Sequence, residues 1–393
     1  MKKSIISLAV LASMTAGQAL AINLYDMNGT KVNMNGAVGV QMSSYDYDTS
    51  SVLGNDQGFG LNNDNVVMED PGSFVGFEIS HEVGKHKAFT KLEWDINMGT
   101  QGEKQFSTLE QRQAYVGVDL ADAGRFSIGK QESPYMKTDK GYYAYWVGGL
   151  NMMQSDELGS RRTDNTFVWE RDLGNLYLGA QLQTERSHDA VSFGNGLNFG
   201  SVLDAQSTLD VKNGFGLATT YTTAHGTYLA LAYNQANDIN GDFVDLLGDG
   251  VTLQSATDAE VKQVAFAVEH HFLNGEVSVS ARFEHFQAKD GAGAFEIEAQ
   301  NFGLGANAYL SPDVRVYGGI EGAKDTNELT GSTNSEVMMY NIGAAWAPVP
   351  WAEVYAEAYY DDVELNNSYN IDTGAMGASS KGTHLFVGAA VIF

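Results

Sequence analysis

The segment Val277-Ser-Val-Ser-Ala-Arg-Phe-Glu284 decides the fold, because apolar and polar residues alternate along it without a break. Its valines, Ala281 and Phe283 take one parity, and its serines, Arg282 and Glu284 take the other. A period of two is that of a β-strand, whose successive side chains point to opposite faces of the sheet. One face of this strand is therefore apolar, and the other is polar and charged.

The same alternation recurs along the chain, for example in Leu176–Gln183. Some strands are joined by short links with turn residues, such as Asn274-Gly275 and Pro312-Asp313, and the others by longer links. Short and long connections in alternation, with an even number of strands, are typical of transmembrane β-barrels. The pattern predicts sixteen strands, at residues 31–44, 72–83, 87–97, 111–119, 124–131, 163–171, 175–183, 211–222, 226–235, 260–272, 276–287, 295–310, 313–324, 335–347, 351–362 and 381–393.

A sheet of this length needs a cover for its apolar face. The sequence contains no helical pattern and no second sheet that would provide one. A bilayer core offers no water to unpaired backbone groups, so a sheet crosses it only as a closed ring. We therefore predict an all-β fold, a 16-stranded antiparallel transmembrane β-barrel, with lipid on its apolar face and water inside.

The first residues have a different character. Lys2 and Lys3 precede an apolar run, and Ala19-Leu20-Ala21 supplies small residues at the usual cleavage spacing. We expect residues 1–21 to be a secretory signal peptide and residues 22–393 to form a single barrel domain. The chain has no cysteine, so an exported form does not depend on disulfides.

The predicted mature chain is strongly acidic. Without the two lysines of the signal peptide it carries 21 basic residues against 49 acidic ones, a net charge of −28. This balance argues against a nucleic-acid partner, whose phosphates require Lys and Arg. In a hollow barrel it favours cations in the lumen.

Three stretches carry a resemblance to a known family: Asn23–Asn33, Arg112–Lys130 and the final strand Leu385–Phe393. The first two resemble the opening segment and a strand–turn–strand unit of the general, non-specific porins of Gram-negative bacteria, and the third resembles the terminal strand of Gram-negative outer-membrane proteins. The resemblance implies export through the periplasm to the outer membrane, where lipopolysaccharide surrounds the barrel. It also implies a homotrimer and recognition of Phe393 by the barrel-assembly machinery.

The resemblance further implies that a long loop, at about residues 132–161, folds into the barrel and narrows it. Many family members have an acidic residue before paired glycines in this loop, whereas this chain has Trp146-Val-Gly-Gly149. The candidate acids of the constriction are then Asp139, Asp156 and Glu157.

A basic cluster on the wall should face these acids. By resemblance Arg112 and Arg162 match family positions, but Phe74 and Ala37 stand where the family often has Arg and Lys, so the basic wall is thinner. Two further lysines are candidates for the inward wall, Lys91 and Lys130.

Arg112 presents a conflict. Hydropathy groups it with Ala114, Val116 and Val118, which would be the lipid face, where an arginine costs about 2–4 kcal/mol at the bilayer midplane. Because Tyr115 and Gly117 can also face outward, we place Arg112 inward. An interfacial arginine that reaches the lipid headgroups is the alternative.

The predicted function is passive diffusion of small hydrophilic solutes and ions, with cation preference, through a water-filled pore. Alternatives are a substrate-selective channel, for instance for oligosaccharides on the aromatic residues of the loop, and a structural or adhesive barrel. We expect no enzyme, because no nucleophile motif is present. No metal or cofactor is predicted, since Cys ligands are absent and His270 and His271 point to opposite faces of one strand.

Overall fold

The computed structural model describes residues 21–49, 63–96, 109–140, 154–188, 191–193, 197–199, 209–244, 253–369 and 376–393. The predicted signal peptide, except for Ala21, lies outside the described residues. Among the described residues, no helix is long and apolar enough to cross a membrane.

The sixteen predicted strands are confirmed, each at its expected place and often longer. They form one antiparallel ring in which each strand pairs with the next along the chain and the last pairs with the first. The strands are β1 Thr30–Thr49, β2 Phe74–Val83, β3 His86–Ile96, β4 Leu109–Asp119, β5 Arg125–Glu132, β6 Arg162–Leu173, β7 Leu176–Gln183, β8 Leu209–Thr222, β9 Thr227–Val244, β10 Leu253–Phe272, β11 Val277–Lys289, β12 Glu296–Ser311, β13 Val314–Asn327, β14 Ser332–Val349, β15 Ala352–Tyr369 and β16 Met376–Ile392.

The ring closes where the first and last strands meet. Ala37 of β1 is the register partner of Ile392 in β16, and on its other side it pairs with Phe74 of β2. The terminal residue takes part: the backbone N–H of Gly36 donates to the carbonyl of Phe393 at 2.6 Å, and the N–H of Phe393 donates back at 2.9 Å. Closure therefore leaves neither of these two strands with an open edge, as a lipid environment requires.

Burial across the wall is the reverse of that in a soluble protein. In β11, Phe283 is 47% exposed and Val279 46%, whereas Arg282 is 4% exposed and Glu284 is fully buried. The other strands repeat the pattern, so a continuous apolar band covers the outside of the ring. An exposed apolar surface of this extent marks contact with something other than water, and lipid is the partner a closed barrel requires.

The two ends of the barrel differ in their connections. Links 84–85, 174–175 and 312–313 are among the short ones at one end, which we call the turn end. The opposite end, the loop end, carries the longer segments, although residues 290–295 and 328–331 make short links there too. Short turns face the periplasm in barrels of this kind.

Minor elements complete the fold. Three 3₁₀ turns are Ala121–Ala123, Pro134–Thr138 and Leu273–Gly275. Short strands outside the ring of sixteen are Ile22–Met27, Asn63–Glu69, Arg186–His188, Val191–Phe193 and Leu197–Phe199. The first of these forms a hairpin with the start of β1, and the second extends the edge of β1 beyond β2.

Aromatic residues mark both borders of the apolar band on β14 and β15. Trp346 and Trp351 are exposed near the turn end. Towards the loop end, the rings of Tyr340 and Tyr360 lie 6.2 Å apart across the strand pair. Amphipathic rings at these two levels are typical of the headgroup regions that flank a membrane-spanning barrel.

Candidate functional site

The segment between β5 and β6 enters the barrel at both of its described flanks, 133–140 and 154–161. The two flanks meet at their base, where the N–H of Ser133 donates to the carbonyl of Arg161 at 2.6 Å. The Tyr135 hydroxyl then reaches the inner wall and donates to Glu284 of β11 at 2.6 Å. Residues 141–153, which include Trp146, lie outside the described residues.

The first flank fits the wall because the inward residues there are small. The 3₁₀ turn Pro134–Thr138 is capped by the Ser133 hydroxyl, which accepts from the N–H of Tyr135 at 3.2 Å. Tyr135 is fully buried against the side chains of Ala218, Ala232 and Ala265. Three alanines in register leave a hollow that one tyrosine ring fills, and burial of such a ring contributes about 2 kcal/mol.

Charged groups fasten the same flank. Asp139 lies 3.8 Å from the Arg282 guanidinium, which is itself paired with Glu284 at 2.7 Å. Lys140 lies 3.4 Å from Glu269 of β10. Asp139, a predicted constriction acid, is thus directed at a wall arginine, and the loop also brings a base to a wall acid.

The second flank is held by neutral amides. Gln181 of β7 donates to the carbonyl of Gly159 at 2.6 Å, and Asn234 of β9 donates to that of Leu158 at 3.0 Å. Gln183 donates to the Asn234 side chain at 2.8 Å, which joins the two contacts. Gly159 has φ +94°, and a Cβ at this position would collide with the Gln183 amide, so the close approach requires glycine.

Asp156 is the predicted loop acid with the best-defined partners. Its carboxylate accepts from the Arg161 side chain at 2.7 Å and from the backbone N–H of Arg162 at 2.8 Å. Burial favours a higher pKa for this carboxyl, but the hydrogen bond and charge of Arg161 and the charge of Arg162 outweigh it and lower the pKa. Asp156 is therefore held ionised beside two arginines.

Glu157, the third predicted loop acid, is held mainly through its backbone. Its carbonyl accepts from the Arg186 side chain at 2.8 Å, and its carboxylate accepts from the Ser155 hydroxyl at 2.8 Å. Arg186 is 4% exposed and also donates to the carbonyl of Thr184 and to Gln183. It positions this flank through carbonyl contacts.

Among the predicted wall bases, Lys91 and Arg112 come together on the inner face. Lys91 lies 3.0 Å from Glu93, and Arg112 lies 2.6 Å from the same carboxylate. Arg112 also pairs with Asp95 at 3.0 Å. Arg162, at the foot of the second flank, is close enough to Arg112 and Asp95 for their charges to act on it.

The inward position of Arg112 depends on a β-bulge. Glu93 pairs with Gln113, but the next residue, Trp94, pairs with Gln111, so Arg112 is the extra residue of its strand. Val116 and Val118 are 55% and 42% exposed, which puts their parity on the outside, as hydropathy indicated. We placed Arg112 inward because Tyr115 could face outward, and that reason was wrong. The bulge alone reverses the parity of the residues that precede Gln113 in the strand, and it turns Arg112 inward.

Lys130 is not brought to this group. It is the register partner of Ala114, on the parity of the exposed residues Phe126 and Ile128. Its Nζ lies 3.8 Å from Asp164. The structure thus brings Lys91, Arg112 and Arg162 together with the second flank and leaves Lys130 on the outer parity.

Sequence reasoning missed several residues of the site. Arg282 and Glu284 were placed on the polar parity but were not connected to the loop, and Tyr135, Arg161 and Arg186 were not considered. The available signal was a run of inward alanines on neighbouring strands, which predicts space for another segment. The predicted division into an acidic loop and a basic wall is incomplete, since each side carries both signs.

These features define the class of protein: an outer-membrane β-barrel whose interior is charged and entered by one of its own loops. The sequence model of the Gram-negative porin family matches residues 7–364, so the chain belongs to this family. It is 25% identical to outer membrane protein U of Vibrio parahaemolyticus over 81% of this chain and 88% of that protein. It is 25% identical to porin-like protein H of Photobacterium profundum over 83% of this chain and 96% of that protein.

Solved structures agree on the fold. OmpT of Vibrio cholerae, an outer membrane protein, superimposes with a TM-score of 0.66 at 16% identity, covering 94% of this chain and 99% of that one. An anion-selective porin from Comamonas acidovorans gives a TM-score of 0.64 at 14% identity, covering 93% of this chain and all of that one. At these identities the likeness concerns the barrel and not its selectivity.

Proposed function

We propose that this porin forms a water-filled channel for passive diffusion of small hydrophilic solutes and ions, and that it prefers cations. The observation that carries the preference is the charge of the inner face. The buried charged residues that lie on strands in the described part of the chain are seven acids, Glu93, Glu269, Glu284, Glu321, Glu353, Glu357 and Asp361, against three arginines, Arg186, Arg282 and Arg315. Rings of like charge bias ion passage without tight binding.

The narrowest part of the pore, in this proposal, lies where the second loop flank approaches the wall. Asp156 and Glu157 contribute the loop charges there, and Lys91, Arg112 and Arg162 contribute the wall charges. Opposite signs held on a rigid sheet and a fastened loop create a transverse field that orients small dipolar solutes. Asp139 belongs to the other flank, where Arg282 offsets its charge.

The assembly and export of the chain are part of the same proposal. A homotrimer is supported by one of the structural neighbours, an outer membrane protein that was solved in a trimeric form. The terminal Phe393 is offered as the signal for the barrel-assembly machinery, and residues 1–21 as the cleaved signal peptide. Blue native electrophoresis of the folded protein, before and after boiling, measures the oligomeric state. Loss of outer-membrane insertion in a variant that lacks Phe393 measures the role of this residue in barrel assembly.

Reversal potential in a KCl gradient tests the preference. We expect the reversal potential to have the sign of the K⁺ equilibrium potential. A reversal potential with the sign of the Cl⁻ equilibrium potential would overturn the proposed preference. Liposome swelling with solutes of graded size distinguishes simple diffusion from an oligosaccharide channel, because only the latter saturates and favours one sugar. An adhesive or structural barrel would give no steady conductance at all.

A further inference from the structure

A row of alternating charges crosses the inner wall of β2–β6 near the turn end. Lys87 of β3 is the register partner of Glu82 in β2 and of Asp119 in β4. Arg125 of β5 is in turn the partner of Asp119 and of Glu170 in β6. Acid and base therefore alternate from each strand to the next. We call these five residues the charged row.

The charged row faces the lumen. On its strand each member shares its parity with a buried inward residue two positions further into the barrel or deeper, such as Phe89 beyond Lys87 and Val168 beyond Glu170. The opposite parity faces outward, as the exposed side chain of Phe167 shows. Because short turns face the periplasm in barrels of this kind, the row lines the periplasmic mouth of the lumen.

Arg125 is held in place by an aromatic ring and a hydroxyl. Its guanidinium lies over the Phe89 ring, 4.0 Å from the centroid, and donates to the Tyr115 hydroxyl at 3.3 Å. The ring fits there because Gly117 lies beneath it, where a Cβ would collide with the ring. Both contacts fix the plane of the guanidinium, and its other Nη–H groups stay available to a solute.

The acids of the row are directed to donors outside it. Glu170 accepts from the Tyr177 hydroxyl at 2.8 Å, and Asp119 accepts from a backbone N–H of the adjoining turn at 2.8 Å. No two members of the row form an ion pair in the part of the chain that the structure describes. Elsewhere on the inner wall opposite charges do pair, as Arg315 does with Glu353 at 3.1 Å. The charges of the row are therefore not spent on one another.

We propose that Arg125 and Glu170 form a binding site for zwitterionic solutes of the α-amino-acid class at the periplasmic mouth of the pore. Directly opposed residues of an antiparallel pair have Cβ atoms about 4.5–5.5 Å apart, so the two charged groups stand side by side. The planar guanidinium suits the carboxylate of the solute, and the second carboxylate oxygen of Glu170 suits its ammonium. An α-amino acid carries both groups on one carbon and satisfies both side chains at once.

The alternation of signs selects against simple ions. An anion at Arg125 meets the carboxylates of Glu170 and Asp119 on its two sides, and a cation at Glu170 meets the guanidinium. A solute with both charges meets an opposite charge at each end. The inference rests on the proposed function, because the solute reaches the row through a water-filled lumen, and it adds the class of solute that the lumen retains.

The experiment compares three probes with the same carbon skeleton. At neutral pH L-alanine carries both charges, L-lactate only the negative one and L-alaninamide only the positive one. Saturation-transfer difference NMR titrations of the full folded protein in detergent give the affinities, and L-alanine should bind most tightly. Arg125→Gln and Glu170→Gln should each weaken L-alanine binding about fivefold, the effect of about 1 kcal/mol for a solvent-accessible charge pair.

The two substitutions control for one another, because they change the charge of the lumen in opposite directions. Arg125→Gln should weaken L-lactate binding and Glu170→Gln should strengthen it, whereas both weaken L-alanine binding. Arg171→Gln, on the outer parity of β6, removes the same charge as Arg125→Gln and should leave L-alanine binding unchanged. The proposal is overturned if either inner substitution leaves L-alanine binding intact, or if the unchanged protein binds L-lactate as tightly as L-alanine.

Conductance of the same samples in a planar bilayer separates this inference from the proposed function. Conductance steps without L-alanine binding would retain the pore and overturn the site. Binding of L-alanine that depends on Arg125 and Glu170, in a protein that gives no conductance steps, would support the site and contradict the pore.

Discussion

Arg112→Ala is the substitution that most directly tests the mixed-charge constriction. The guanidinium contacts two carboxylates, Glu93 at 2.6 Å and Asp95 at 3.0 Å, and its side chain is 27% exposed to the lumen. Removing it leaves both acids without this partner and makes the inner face one charge more negative. It also removes side-chain volume from the narrow part of the pore. Both effects are expected to increase cation flow.

The magnitude follows from simple electrostatics. A monovalent ion about 6 Å from the removed charge changes its energy by about 0.7 kcal/mol in a water-like dielectric, and by about 0.4 kcal/mol after screening in 0.1 M salt. Cations then gain about twofold in local concentration and anions lose about twofold. The permeability ratio of K⁺ to Cl⁻ should increase about fourfold by this reasoning.

Reversal potential across a planar bilayer, in a KCl gradient near 0.1 M, measures this ratio, and the step size gives the conductance. Arg112→Lys is the matched control, because it keeps the charge and should stay near the unchanged protein. The effect should shrink in 1 M salt, where the Debye length is about 3 Å. An unchanged reversal potential and step size in a folded Arg112→Ala channel would refute the inward, constriction-forming role of this residue.

Three further predictions concern the loop. Gly159→Ala should strain the positive φ, bring a Cβ against the Gln183 amide and displace the second flank, at about 1–3 kcal/mol. Gly174→Ala also strains a positive φ, of +70°, but has open space around it and should cost less; urea unfolding in detergent compares the two variants. Tyr135→Phe removes a donor from buried Glu284 and should lower the unfolding free energy by about 1–3 kcal/mol; equal stability would contradict the contact. The pKa of Asp156 is depressed below its ordinary 3.8, so its ionic contacts are complete above that value and are lost as pH falls through the lower folded value. Channel noise should therefore differ between the unchanged protein and Asp156→Asn as much at pH 3.8, where an ordinary aspartate is half protonated, as at neutral pH. A difference that has fallen by half at pH 3.8 would argue against the depressed pKa.

The strands could be predicted because lipid outside and water inside impose a strict period of two. Val277–Phe283 shows this signal at full strength, and no tertiary contact competes with it. Strand ends at the loop side were predicted too short, as in 226–235 against Thr227–Val244, because strands continue beyond the membrane where hydropathy no longer alternates. At the turn end, turn residues such as Asn274 predicted the strand ends more closely.

The site was less predictable for two physical reasons. A β-bulge shifts the parity of a strand by one residue, and the residues around Arg112 give no sign of the bulge. The prediction therefore placed Arg112 on the correct side for a wrong reason. Contacts between the loop and the wall join residues far apart in the chain, such as Tyr135 and Glu284. Alternation assigns Glu284 to the lumen, but it says nothing about which loop residue will meet it there.

The first recording to make is from the full-length folded protein added at low concentration to a planar lipid bilayer bathed in KCl. A charged lumen inside a ring of lipid-facing strands should produce discrete, ohmic conductance steps, with a reversal potential that favours K⁺ when a salt gradient is applied. A protein that remains monodisperse in buffer without detergent and leaves the bilayer current flat would show that the apolar band does not face lipid and that the interior is no conduit.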